Sequence, residues 1–178
     1  MKQIILKTGE TLKIRNAKSE DAENVLNFTN KVCGETDFLT FGPGEFQLTV
    51  EQEEQFLDSL DKMDNSVYLV AEMQGQIIGT ASFTGGSRPR IAHTGEFGMC
   101  ILKEHWGKGI GTEMLKYLLE FAKSTGIIRK LNLRVRADNL PAIHLYKKLG
   151  FAECGRITRE VSINGSFYDS ILMEYELD

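Results

Sequence analysis

Residues 105–115 read HWGKGIGTEML, with Gly107, Gly109 and Gly111 at alternate positions around Lys108. Glycine lacks a Cβ, so a ligand can approach the backbone closely and φ > 0 is accessible, at a cost of about 0.5–1 kcal/mol per helical glycine. Apolar residues follow at Ile110, Met114, Leu115, Leu118, Phe121 and Ala122, the spacing of a core-facing helix. The glycines therefore stand at a helix N-terminus, where the first N–H groups have no intrahelical partner and the macrodipole favours an anion. Phosphate binding is one reading; a turn that merely connects two elements is the other.

Two nucleotide motifs fail to fit. A dinucleotide fingerprint needs G-x-G-x-x-G after a first strand and an acid about twenty residues later. Here the spacing is G-x-G-x-G, and the next strand ends with Arg134 and Arg136. A P-loop needs Ser or Thr directly after the Gly-Lys pair, whereas Gly109 follows Lys108.

The elements that must position this turn can be read from periodicity. A first strand is predicted near 11–16. A helix from about 20 to 33, with Ser19 at its start, and another from Thr49 to Met63 follow, the second with Thr49 and Gln52 as a capping pair. Three strands, SVYLVAEM, IIGTASFT and EFGMCIL, precede the glycine-rich helix. Then come the strand KLNLRV, the short helix NLPAIHLYKKLG, and two terminal strands joined by an Asn164-Gly165 hairpin turn. The predicted order is β-α-α-β-β-β-α-β-α-β-β, an α+β domain whose central, mostly antiparallel mixed sheet of six to seven strands carries four helices over residues 1–178.

Between the first two helices lies GETDFLTFGPGEFQL, residues 34–48, longer than an ordinary connection. Glu35, Asp37 and Phe38 stand at its start. Acid interleaved with aromatic suits a cationic amine through charge pairing and cation–π contact. It equally suits a loop held down by its phenylalanines.

Composition narrows the function classes. Hydrophobic residues at 42% and charged residues at 26% of 178 suit one globular domain. Residues 1–64 hold 13 acidic against 7 basic side chains and the remainder 12 against 14, a balance without the concentrated basic face of a nucleic-acid binder. No apolar run reaches membrane-spanning length, and the opening MKQIILKTGETLKIR turns charged too soon for a signal peptide, so a cytoplasmic protein is expected. Cys33, Cys100 and Cys154 form no C-x-x-C pair and the three histidines no H-E-x-x-H pair; no metal is expected, and each cysteine reads as a small buried apolar residue.

The segments W-G-K-G-I-G-T and R-A-D-N-L-P-A-I-H-L-Y-K-K-L-G-F, each after a strand, together resemble the acetyl-CoA-dependent N-acetyltransferase superfamily, GNAT. The resemblance runs from IRNAKSEDA through ILMEYEL. Trp106 departs from the Gln or Arg that opens the family's glycine motif, and a similar tryptophan is found in ribosomal-protein N-terminal acetyltransferases. The resemblance implies that the N–H groups of Gly107, Lys108, Gly109, Ile110, Gly111 and Thr112 cradle the coenzyme A pyrophosphate, with Lys108 as a nearby charge. It implies that the strand through Met99, Cys100 and Ile101 splays from its neighbour at 130–135 and offers main-chain groups to the pantetheine arm.

Asn139, Ala142 and Tyr146 share one face of their short helix. By resemblance Asn139 is a coenzyme contact and Tyr146 the general acid for the departing thiolate; structurally, they also read as a helix cap and a packed aromatic. Glu96 is the best-placed base for the acceptor's ammonium, or else an exposed strand glutamate. Cys100 has no His–Asp partner pattern and is not read as a nucleophile. The expected activity is acetyl transfer from acetyl-CoA to a primary amine of a small molecule, amino acid or peptide N-terminus; a non-catalytic acetyl-CoA-binding module is the alternative. Look-alikes imply a homodimer as one assembly, and neither nucleic acid nor membrane is expected as a partner.

Overall fold

The computed structural model describes residues 1–178. All its strands join one eight-stranded sheet: β1 Lys2–Ile5, β2 Thr11–Asn16, β3 Ser66–Met73, β4 Gln76–Gly85, β5 Thr94–Ile101, β6 Lys130–Arg136, β7 Ala152–Ile163 and β8 Ser166–Glu176. The order across the sheet is β1-β2-β3-β4-β5-β6-β8-β7, antiparallel everywhere except between β5 and β6. The helices are α1 Ala22–Cys33, α2 Val50–Asp61, α3 Ile110–Ser124 and α4 Leu140–Lys148.

The predicted class and helix count hold, and the sheet gains one strand. β1 was not predicted, because the four residues KQII, two polar followed by two apolar, carry no period-two signal; its pairing with β2, Lys2↔Ile14 through Ile5↔Thr11, is what makes it a strand. Ser19 does not open the first helix. A 3₁₀ turn spans Ser19–Asp21, the Asp21 carboxylate accepts from the Lys18 N–H at 2.8 Å, and α1 begins at Ala22.

Local chemistry prevails elsewhere. Thr49 caps α2 as predicted: its Oγ1 accepts from the Gln52 N–H at 3.2 Å, and Gln52 Oε1 accepts from the Thr49 N–H at 2.9 Å. Asn164 and Gly165 both take positive φ, +50° and +81°, the geometry of the tight hairpin between β7 and β8.

Along β3, β4 and β5 alternate residues point to opposite faces. Leu69, Ala81, Phe83 and Phe97 are buried on the face covered by α3, whose Met114, Leu115 and Leu118 are fully buried. The other face, under α1 and α2, carries Tyr68, Thr80, Ser82, Thr84, Glu96 and Cys100, placed in register by Tyr68↔Ser82, Thr80↔Cys100 and Thr84↔Glu96. Thr80 is buried and Tyr68, Ser82 and Cys100 half-buried in this row, whereas Thr84 and Glu96 are exposed, and burial of the first four is costly unless they are used. Cys154 departs from expectation: it is exposed on β7, while Cys33 is buried and Cys100 half-buried.

Candidate active site

β5 and β6 pair only over Thr94↔Lys130, Gly95↔Leu131 and Glu96↔Asn132. Beyond Glu96 each continues with its other neighbour, β5 with β4 as far as Ile101 and β6 with β8 as far as Arg136, so the two strands diverge into a cleft. Asn132 Nδ2 pins the closed end by donating to Thr94 Oγ1 at 2.9 Å and Gly95 O at 3.0 Å. Past Phe97 the edge of β5 that faced β6 has no strand partner, so main-chain groups of Met99 line one wall, which an extended amide chain could join, up to the Ile101 carbonyl at its end.

The glycine-rich turn stands at the mouth of this cleft. None of the N–H groups from Gly107 to Thr112 donates to a backbone carbonyl; the first such bond of α3 runs from the Glu113 N–H to Gly109 O at 3.2 Å. The glycines differ in purpose. Gly107 and Gly109 hold φ of +75° and +85°, and a Cβ on either would meet nothing, so their surface side is open. Gly111 is helical and serves packing: a Cβ there would lie 3.1 Å from Leu145 and 3.3 Å from Ile101. Ile110 sends its side chain into the core and has only its N–H to offer. An open row of amides at a helix N-terminus is suited to a diphosphate.

Neighbouring side chains are partly committed. Trp106 donates its indole Nε1–H to Ile101 O at 2.7 Å, clipping the turn to the end of β5. Lys108 Nζ lies 3.7 Å from a Glu10 carboxylate oxygen and 3.5 Å from His105 Nδ1, which tethers its charge beside the turn.

α4 stands on the other side of the cleft. Asn139 caps it, Oδ1 accepting from the Ala142 N–H at 3.3 Å, so the structural role is realised; the side-chain Nδ2 is left to donate elsewhere. Ile143 and Tyr146 are the buried residues of this helix, whereas Leu145 and Leu149 are half-buried against the core. Tyr146 packs edge-on to Phe97 at 5.7 Å and beside Phe151 at 6.0 Å, filling the wedge behind the diverging strands. Burial raises its hydroxyl above the ordinary phenol range, with Cys100 as a smaller influence, so the proton stays on oxygen at neutral pH. Burial likewise pushes the Cys100 thiol up to about 12, which disfavours the thiolate a nucleophile would need.

Glu96 lies on the α1–α2 face at the last paired rung, half-exposed, with Arg134 Nε 3.3 Å from its Oε1. Arg134 also bonds Glu160 at 2.9 Å. Between Glu96 and Cys100 a Cβ on Gly98 would meet nothing, leaving the floor of the groove open.

The 34–48 segment crosses this groove, although its named residues are used differently from a plain ligand shell. Glu35 Oε2 accepts from the Lys103 N–H at 2.7 Å, capping the turn after β5. Asp37 O accepts from Arg136 Nη1 at 2.7 Å, and the Arg136 guanidinium is sandwiched between Phe38 at 4.5 Å and Tyr168 at 4.2 Å while bonding Asp138 at 2.7 Å. The segment is thus tied to both walls of the cleft. Each cation–π contact contributes about 0.5–2 kcal/mol. Arg136→Ala is expected to leave acetyl-CoA affinity unchanged but to speed proteolytic cutting within 34–48 by about tenfold, read by limited digestion with mass detection.

The sequence reading missed the row Tyr68, Thr80, Ser82 and the Arg136 sandwich. Its available signal was the alternation of polar with large apolar residues in SVYLVAEM and IIGTASFT, strands central enough to be covered on both sides. No group of three His, Cys, Asp or Glu side chains is placed to hold a metal, and no helix is long and apolar enough to cross a membrane.

Comparison with known proteins bears on this geometry. A family model described as acetyltransferase (GNAT) family matches residues 36–151. The L-amino acid N-acetyltransferase of Escherichia coli K12 is 30% identical over 105 residues, 59% of this chain and 65% of that protein, just under two thirds of its length. An acetyltransferase of the GNAT family from Streptococcus pneumoniae superposes with a TM-score of 0.91 at 36% identity, over 93% of this chain and 99% of that one. Ribosomal-protein-alanine N-acetyltransferase from Brucella melitensis superposes with a TM-score of 0.80 at 27% identity, over the same shares.

Proposed function

The chain belongs to the acetyltransferase (GNAT) family, and from that premise we propose that it moves the acetyl group of acetyl-CoA directly onto a primary amine. The observation that carries this reading is the open row of amides from Gly107 to Thr112 at the mouth of the β5–β6 cleft. Acetyl-CoA supplies a thioester whose carbonyl carbon accepts the amine and whose sulfur departs.

The chain's own groups divide the remaining work. Amides of the turn hold the diphosphate, with Lys108 adding charge, and Asn139 Nδ2 offers a donor beside the cleft. Main-chain groups of Met99, Cys100 and Ile101 align the extended arm, and an N–H among them stabilises negative charge developing on the acyl oxygen. Tyr146, held protonated by its burial, donates to the departing sulfur. Glu96 takes the acceptor's proton through a water across the open floor at Gly98. Asp37 and the segment around it form the rim on which the acceptor lands. No step needs a covalent enzyme intermediate, in keeping with the disfavoured Cys100 thiolate.

Relatives named for amino acid and ribosomal-protein alanine acetylation support a primary amine as acceptor. The decisive experiment is thiol release from acetyl-CoA over a panel of amino acids, polyamines and peptide N-termini, with mass detection of the acetylated product. Binding of acetyl-CoA without turnover on any amine would instead favour a non-catalytic coenzyme-binding module. For Glu96→Gln, kcat/KM is expected to fall by about 10²-fold with its acid limb displaced. An unmoved acid limb removes Glu96 from the role of base.

A further inference from the structure

One charged group in the acceptor half of the molecule has no partner. Glu53 occupies the inward stripe of α2 with Leu57 and Leu60 and is 2% exposed. Burial holds its carboxyl above the ordinary glutamate range, and neither a hydrogen bond nor a cation offsets that burial. Every other buried or half-buried carboxylate of the first two helices' neighbourhood is answered: Asp21 and Glu72 by Arg15, and Glu72 again by Lys13. A fold that keeps a lone carboxylate inside sacrifices stability, the usual mark of a group held for a ligand.

The carboxylate is nevertheless not wholly sealed: no side-chain oxygen or nitrogen of the protein is both shut off from solvent and without a partner, so the unpartnered oxygens of Glu53 keep a narrow opening. Around it stand the Tyr68 hydroxyl, within electrostatic reach of both Glu53 and Cys100, and the Phe56 ring, edge-on to Tyr68 at 6.2 Å. Tyr68 and Cys100 belong to the polar face of β3–β5 and border the cleft wall. Aromatic rings beside a lone carboxylate, with no basic side chain, form a receptor for an ammonium group.

We infer that Glu53 binds a positive charge of the acceptor and selects amines that carry no carboxylate beside the nitrogen, as at a peptide N-terminus or on an alkylamine. This rests on the acetyltransferase reading and narrows its acceptor. A free amino acid would bring its own carboxylate toward Glu53, like charge against like, whereas the corresponding amide would not.

The test compares alaninamide with alanine as ligands of the coenzyme A-saturated protein by calorimetry, and as acceptors by thiol release. Wild type is expected to favour alaninamide by at least about tenfold, and Glu53→Gln to lose at least about tenfold for alaninamide and with it the preference. Glu53→Asp is expected to keep part of the preference, and Glu53→Gln to melt higher than wild type without ligand, since a purely structural carboxylate would not combine a stability gain with a selectivity loss. Equal alaninamide affinity in wild type and Glu53→Gln overturns the inference, as does a wild type that binds alanine as well as alaninamide, or neither. Acetyl-CoA affinity, measured separately, reports on the acetyltransferase reading and is expected to be the same in all three proteins.

Discussion

Replacing Tyr146 by phenylalanine is expected to lower kcat by about 10²-fold or more while acetyl-CoA affinity stays within about twofold. The hydroxyl is the only atom removed, and the ring that carries it stays packed against Phe97 and Phe151 beside the cleft. No hydrogen bond accounts for its burial, which raises its pKa and disfavours the phenolate. Its loss should therefore leave the melting temperature unchanged or slightly higher, separating a chemical from a structural effect. Stopped-flow thiol release gives kcat, and calorimetry gives the affinity. Because the folded hydroxyl titrates above the ordinary value near 10, kcat is also expected to show no descending limb from Tyr146 below about pH 10. An unaltered kcat in the variant would exclude Tyr146 from proton donation.

Gly109→Val is expected to abolish measurable acetyl-CoA binding, a loss of at least about 10²-fold. Two effects act together. Gly109 is the N-cap of α3 at φ +85°, a region where a β-branched residue is strained by about 1–3 kcal/mol. If the turn relaxes, the row of amides loses its common direction. If it does not relax, the new side chain projects into the open side, where a Cβ meets nothing of the protein at present. Calorimetry with coenzyme A reads the loss, and circular dichroism confirms that the sheet and helices survive. Retained affinity would show that the diphosphate is held elsewhere.

Glu53 ties stability to pH with a definite sign. Its folded pKa is raised by burial above the unfolded value, so the folded state binds the proton more tightly. The resulting destabilisation is absent below the unfolded pKa and complete once pH passes the folded pKa. The groups within its reach include Tyr68 on β3, which remains a neutral phenol across that window. The melting-temperature gain of Glu53→Gln is therefore expected to be largest at neutral and alkaline pH and to vanish in acid.

What the residues announced by adjacency proved right. The glycine-rich turn, the Thr49–Gln52 cap and the Asn164-Gly165 hairpin each act within a few residues of themselves. The second motif gave a helix capped by Asn139, with Tyr146 packed on its buried side beside Ile143. The splay of β5 from β6, expected from resemblance alone, follows in the structure from pairing that stops at Glu96↔Asn132.

Other features have no local signature. In VEQEEQFLDSL the i, i+4, i+7 spacing sets Glu53 on the stripe of Leu57 and Leu60 and leaves Glu51 and Glu54 in water, but whether a cation meets Glu53 inside cannot be read from that spacing. Glu35 and Phe38 looked like a ligand shell, but Glu35 caps a turn 68 residues away and Phe38 stacks on Arg136. The sequence by itself determined the order of the elements from β2 onward and the backbone form of the turn, because capping, helical periodicity and positive-φ glycines depend on neighbours along the chain. Only the tertiary structure decided which carboxylates meet an arginine, a backbone amide or nothing at all, because that depends on strand register and helix rotation across tens of residues, where burial of apolar area outweighs the preference of any single charge.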